Sequence, residues 1–255
     1  MLSKARIKWI KSLEMRKYRL QHKAFVAEGP KLVGELLPYS TPLYIAATKE
    51  WIDTNCQIVR LSNCPIDEVS REELERASLL RTPQSVLAVM PIPQWSMADN
   101  QLETQERQLL LALDGVQDPG NLGTILRIAD WFGIRQVLCS EGTADVYNPK
   151  CVQSCMGALA RVKVHYCDLS EVLAKVKMPV FGTFLDGTDI YKEELSTEGI
   201  IVMGNEGNGI SSEVAKHVSR RLYVPNFPKG SLTTESLNVA VATGIVCAEF
   251  RRRQG

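Results

Sequence analysis

Residues 200–249 constrain the fold most. They read I-I-V-M-G-N-E-G-N-G-I-S, then L-Y-V-P-N-F-P, then T-E-S-L-N-V-A-V-A-T-G-I-V. Ile200 to Met203 is an apolar run too short for a helix and bounded by Gly204, so it reads as a buried parallel strand. Gly204, Gly207 and Gly209 let the backbone turn tightly and approach a ligand, and the loop carries one carboxylate, Glu206. Ser211 and Ser212 predict the N-cap of a helix over 211–217. A strand over 221–224 stops at Pro225. The last helix is expected over 236–251, starting near Glu235 or Ser236, with Leu237, Val241, Ile245 and Ala248 at helical spacing. Two strand ends with polar, glycine-containing loops describe the carboxyl edge of an open α/β sheet, where such sheets bind ligands. Ordinary turns explain the glycines equally well. The spacing fits neither a dinucleotide fingerprint nor a phosphate loop.

Asp114 to Gly133, D-G-V-Q-D-P-G-N-L-G-T-I-L-R-I-A-D-W-F-G, adds a second strand-loop-helix unit. Strands are expected at 109–113 and 136–139 around a helix over 120–132, with Pro119 near its start, where a missing N–H costs little. Ile125, Ile128, Ala129 and Phe132 form its buried stripe; Asn121 and Arg127 stand outside it. For an isolated Arg127, a solvated surface charge is the simple reading.

Three segments together resemble the motifs of the SpoU/TrmH family of RNA ribose methyltransferases, in the SPOUT class. They are N-L-G-T-I-L-R-I-A-D at Asn121 to Asp130, I-V-M-G-N-E-G-N-G-I at Ile201 to Ile210, and Val224-Pro225 followed by S-L-N-V-A-V-A-T-G-I at Ser236 to Ile245. The resemblance spans roughly residues 108 to 250. Arg19 to Val33 and Thr82 to Val89 look like the accessory RNA-binding domain of many family members, similar to a small ribosomal-protein fold.

Composition agrees with one or two soluble domains: 255 residues, 45% hydrophobic and 23% charged. No stretch reaches about 18 uninterrupted apolar residues, so no membrane span is expected. The basic N-terminus lacks a long apolar core, so no secretory signal is read, though its character alone leaves a transit peptide open. Seven cysteines without framework spacing and three scattered histidines (His22, His165, His217) argue for free thiols in a cytoplasmic protein and against a metal site. The net charge of +1 hides an asymmetry: residues 1–31 hold nine Lys/Arg against Glu14 and Glu28. That arm, with Trp9 and Tyr18, suits phosphate contacts, and a solvated amphipathic helix explains it as well.

In chain order the expectation is a small α/β domain over 1–91, a Pro-bounded linker over 92–107 and the methyltransferase domain over 108–255. The first domain is read as helices at 3–19 and 30–37, strands at 43–47 and 57–61, a helix at 66–77 and a strand at 85–90. The second adds a helix at 149–160, a strand at 162–164, a helix at 169–176 and strands at 179–184 and 200–203. This alternation predicts a parallel sheet with helices on both faces. The resemblance alone implies a C-terminal trefoil knot, since knots are nearly absent among folds. It also implies a homodimer with each site completed near the partner; residues 148–161 and the final helix are the expected surfaces.

The implied reaction moves a methyl group from S-adenosyl-L-methionine to a ribose 2′-hydroxyl, on rRNA ahead of tRNA because of the accessory domain. By resemblance, Gly204, Val224 and Leu237 contact the cofactor, with Thr183 a weaker candidate, and no metal takes part. Asn121, Arg127, Glu206, Ser236 and Asn238 match the polar functional positions. Arginine is a poor base. Arg127 is therefore expected to bind the RNA phosphate or steady negative charge on the 2′-oxygen, unless its site depresses its pKa enough for base work. Glu206 is expected to orient Arg127 or the asparagines, or to cap a helix, and Ser236 to cap the last helix. Residues 226–235 are longer and more polar than in many relatives; Lys229 is read as touching RNA or solvating the loop. Two other readings are a non-catalytic RNA-binding protein on the same scaffold and an oxidoreductase. All four of Asn121, Arg127, Glu206 and Asn238 are present, against the first, and the missing early G-x-G-x-x-G argues against the second.

Overall fold

The computed structural model describes residues 2–57, 63–93, 108–228, 231, 234 and 236–253. The strand expected at 57–61 and the linker at 92–107 fall almost wholly outside them, as do Lys229 and Glu235. The chain forms two compact units, one of residues 1–94 with 145–160, the other of 95–144 with 161–255. The first therefore recruits a segment that chain order alone assigns to the second.

In the first unit, β1 (Ala24–Glu28), β2 (Tyr44–Ala47), β3 (Ile66–Glu68) and β4 (Val86–Pro91) form a sheet in the order β1-β4-β2-β3. Strand side chains alternate between faces, and the two cores follow that period. Ala24, Val26, Leu87 and Val89 pack with Ile10 and Leu13 of the N-terminal arm and with Leu74 of α5 (Arg71–Ala77). Phe25, Ala27, Ala88 and Met90 pack with Leu32, Val33 and Leu36 of α3 (Pro30–Leu36), Trp51 of α4 (Lys49–Thr54) and Val152 of α7 (Pro149–Ser154).

Three expectations change here. The helix expected at 3–19 is two helices, α1 (Lys4–Ser12) and α2 (Arg16–His22). The buried Arg19 guanidinium takes the Leu13 and Glu14 carbonyls, at 2.9 and 2.6 Å, which a continuous helix would use itself, and pairs with Asp145 at 2.7 Å. The helix expected at 66–77 is β3 followed by α5, because Ile66 to Glu68 pair with Ile45 to Ala47 and a Ser70–Glu73 capping box starts the helix. The helix expected at 149–160 ends at Ser154, where Met156 and Gly157 turn to φ 52° and 90°. Its Cys151, Val152 and Cys155 side chains are buried within the first unit.

The second unit holds β5 (Leu109–Leu113), β6 (Gln136–Cys139), β7 (Lys163–Tyr166), β8 (Val180–Asp189), β9 (Gly199–Met203) and β10 (Arg220–Tyr223). They form one parallel sheet in the order β10-β8-β9-β5-β6-β7. Helices cover both faces, as expected. Leu110, Ala112, Ile200 and Val202 pack with Leu169 and Leu173 of α8 (Leu169–Leu173) and Val214 of α9 (Ser212–Ala215). Across the sheet lie α6 (Pro119–Trp131) and α10 (Val239–Arg252), where Phe250 meets Phe181 edge-on with centroids 4.9 Å apart. Such a pair adds about 0.5–1.5 kcal/mol beyond its buried area. No helix among the described residues is long and apolar enough to cross a membrane.

Glu249 fastens the end of α10: it takes Arg252 and Arg253 at 2.8 Å, and Arg253 donates in turn to the Ile190 and Glu193 carbonyls. These guanidiniums hold the Glu249 carboxyl down to about 2. A depressed folded pKa gives stability above the unfolded value of about 4.3 that is lost as pH falls toward 2. Glu249→Gln is expected to lower the melting temperature at pH 7, with the gap from wild type closing between about pH 4 and 2 in thermal melts.

Candidate functional site at the carboxyl edge of the parallel sheet

The site begins with how α6 starts. Asp118 accepts the Asn121 amide at 2.8 Å and Pro119 occupies the first turn. Leu122, Ile125, Leu126 and Ala129 are fully buried, which turns Asn121 toward the carboxyl edge. Ile128 is only partly buried, so the apolar stripe sits one register from the expected one.

The loop after β9 is shaped by close backbone contact. A Cβ on Gly204 would lie 2.3 Å from the Gly209 carbonyl carbon and 2.4 Å from the Ile210 nitrogen, so only glycine fits. Asn205 and Gly209 exchange backbone hydrogen bonds at 2.9 Å in each direction. The Asn205 side chain accepts from Gly207 and Asn208, at 2.9 and 3.0 Å, and donates to the Gly115 carbonyl at 2.7 Å. Asp114, buried at the end of β5, accepts the Ser211 amide at 2.8 Å. Ser140, after β6, accepts the Gly115 amide at 2.9 Å. Three loop ends are thereby cross-tied.

Glu206 projects from this loop and accepts from Asn121 Nδ2 at 2.5 Å. Asn121 Oδ1 accepts from Asn238 Nδ2 at 3.0 Å. Asn238 Oδ1 accepts the Ala240 and Val241 amides at 3.0 and 3.3 Å, capping α10. The direction of this relay is forced. An ionised carboxylate only accepts, so Asn121 presents its NH₂ to Glu206 and its carbonyl to Asn238. Asn238 is then left with its carbonyl facing amides that only donate.

The structure thus brings Asn121, Glu206 and Asn238 together. Glu206 orients the asparagines and neither caps a helix nor meets Arg127 in any hydrogen bond or ion pair among the described residues. Arg127 stands exposed on α6, about 9 Å along the axis from Asn121, with no such partner among the described residues. Ser236 is exposed and does not cap α10; Asn238 does. Gly204 and Val224 follow the last residues of β9 and β10, and Thr183 lies within β8, one residue past its pairing with β9. Thr183 Oγ1 is 3.9 Å from Met203 Sδ, a weak contact. Leu237, next to Asn238, is 48% exposed. The first of the glycines, 204, is required by space, and Gly209 by its φ of 68°.

Sequence reasoning missed Asp114 and Asn205. An Asp-Gly directly after a buried strand, and an Asn inside a glycine run, were the available signals for turn-closing side chains. Among the described residues there is no His/Cys/Asp/Glu group able to hold a metal ion.

Known families match the two halves of the chain in order. Residues 108–248 match the SpoU rRNA Methylase family, and residues 4–88 match the MRM3-like substrate binding domain. The chain is 32% identical over 256 residues to 23S rRNA (guanosine(2553)-2′-O)-methyltransferase RlmP of Bacillus subtilis, covering 96% of each chain. A TrmH-family protein from Porphyromonas gingivalis superposes with a TM-score of 0.85 at 44% identity, covering 99% of each chain. The AdoMet-bound rRNA methyltransferase of Sinorhizobium meliloti gives a TM-score of 0.87 at 26% identity, covering 99% of this chain and 97% of that one.

The loop geometry separates two glycines by position. Gly204→Ala is expected to cost more than about 3 kcal/mol or to prevent folding, since backbone must move. Gly207, whose added Cβ would meet only Asn205 Oδ1 at 3.5 Å, tolerates alanine within about 1 kcal/mol, read by urea denaturation of both variants.

Proposed function

The chain belongs to the SpoU rRNA methylase family, and from that premise we propose that it transfers a methyl group from S-adenosyl-L-methionine to a ribose 2′-hydroxyl of ribosomal RNA. The relay from Glu206 through Asn121 to Asn238 carries this reading. It fixes one loop and two helix starts around the strand ends where a cofactor of this family is expected.

The residues present fit that cofactor. Backbone at Thr183 of β8 and just past the ends of β9 and β10, the side-chain-free Gly204 and the half-exposed aliphatic Leu237 suit an adenosine group. When bound, S-adenosylmethionine supplies a methyl group activated by its sulfonium. The chain's task is to hold the 2′-oxygen in line with that methyl, and alignment is worth up to about 7–11 kcal/mol. Asn121 and Asn238 hold the geometry of the site edge. Arg127, exposed and without an ion pair among the described residues, binds an RNA phosphate or steadies the developing charge on the 2′-oxygen. Ser236 reaches solvent beside the relay and is assigned a contact with the ribose.

The reading includes a homodimer. It is supported by an apolar face of the second unit between α6 and α10, lined by Ile128, Val241, Gly244, Ile245 and Ala248. Val241 is 54% exposed and Trp131, at the end of α6, 84%. Patches of this kind mark association surfaces. The reading also includes the C-terminal knot. It is supported by Val224 following the edge strand β10 while Asn238 bonds to Asn121, at the start of the helix that follows β5.

Two measurements test these points. With labelled S-adenosylmethionine and rRNA from a strain lacking the protein, wild type is expected to place label in 2′-O-methylnucleosides. Arg127→Ala is expected to lose about 100-fold or more of that rate while still binding S-adenosylhomocysteine; absence of label with wild type contradicts the reading. In light scattering, wild type is expected at dimer mass and Val241→Glu at monomer mass; a monomeric wild type removes the dimer.

A further inference from the structure

The small sheet of the first unit has a carboxyl edge of its own, and a pocket of about 560 Å³ opens there. Trp51 of α4, 5% exposed, forms part of its wall beside Pro30 and Pro83. Gly29 and Gln84 shape its mouth together. Gly29 sits at φ +99°, and Gln84 Oε1 lies 2.6 Å from where a Cβ on Gly29 would be. The glycine therefore makes room for the Gln84 amide.

That amide has no hydrogen-bond partner among the described residues. Asn55 donates its Nδ2 to the Trp51 carbonyl at 2.8 Å, which leaves Oδ1 unused among the described residues. The Ser85 hydroxyl and the Glu75 carboxylate, also in the lining, are likewise without partners among the described residues. Glu50 is only loosely matched, to Arg71 at 4.0 Å. Two carboxylates against one guanidinium make this a poor phosphate seat. Its surplus is in acceptors, beside proline surface laid over the buried Trp51, and such acceptors meet the N–H donors on the edge of an unstacked base. Exposed Lys31, next to Pro30, and Arg81, two residues before Pro83, are suited to the adjoining phosphates.

We propose that this pocket seats one unpaired base of the RNA substrate and selects guanine. Of the four bases, guanine alone presents two adjacent N–H donors on its Watson–Crick edge, matching one carboxylate in two hydrogen bonds. Adenine and cytosine each present one amino group beside an acceptor, and uracil a single N–H between two carbonyls. The inference rests on the RNA-directed function proposed above and adds a base preference to the first unit.

The test uses the full chain and a fluorescent single-stranded oligouridine carrying one central guanosine, inosine or adenosine, with affinity read by anisotropy. Wild type is expected to bind the guanosine form at least about five-fold more tightly than the adenosine form, with inosine between. Gln84→Ala and Glu75→Gln are expected to bring the forms within about two-fold of one another at unchanged melting temperature. Equal affinities in wild type, no binding, or a preference that survives both substitutions overturns the pocket. The same samples titrated with S-adenosylhomocysteine separate the two failures. Cofactor binding without base preference removes the pocket alone, whereas loss of both cofactor and RNA binding removes the methyltransferase reading with it.

Discussion

At Gly204 there is room for a hydrogen atom and nothing larger, because the backbone of Gly209 and Ile210 crosses directly above it. The polar organisation of the carboxyl edge follows from that closure. It folds residues 204–210 into a loop tied across itself by Asn205 and Gly209. It sends the Asn205 side chain back to Gly115, and it brings the Ser211 amide onto Asp114. Glu206 is left at the tip of a loop with little freedom, so its carboxylate meets Asn121 in one place.

From that carboxylate the order spreads by hydrogen-bond polarity. Each amide in the relay has its direction set by the one before it, ending on the free N–H groups of α10. A bond to a charged acceptor is worth about 1.5–3 kcal/mol net and a neutral one about 1. Their sum is small against the packing of Phe250, Val246 and the β5–β9 core, yet it decides geometry where packing cannot. The relay holds the chain on either side of the proposed cofactor seat. Arg127 is left out of it, free to meet an anionic partner.

The sequence made the parallel sheet legible because buried β5, β6 and β9 are near-continuous apolar runs and the glycine loops mark their ends. Asn121, Glu206 and Asn238 were legible as motif positions, though nothing local said that they touch. Ser236 and Asn238 compete as caps in S-L-N, and the bond from Asn238 to Asn121, 117 residues away, selects the later start. Other departures have the same non-local origin. Arg19 splits the first helix by taking its carbonyls and reaching Asp145, and β2 draws Ile66 to Glu68 out of a helical pattern into β3. Residues 145–160 join the first unit through Val152 and the Arg19–Asp145 pair, contacts that no window of sequence contains.

Methylation of ribosomal RNA on ribose is read by nucleoside mass spectrometry of rRNA from cells with and without this protein. One 2′-O-methylnucleoside is expected to fall by close to one residue per ribosome in its absence and to return with the wild-type chain. An unchanged set of 2′-O-methylnucleosides in rRNA would contradict it.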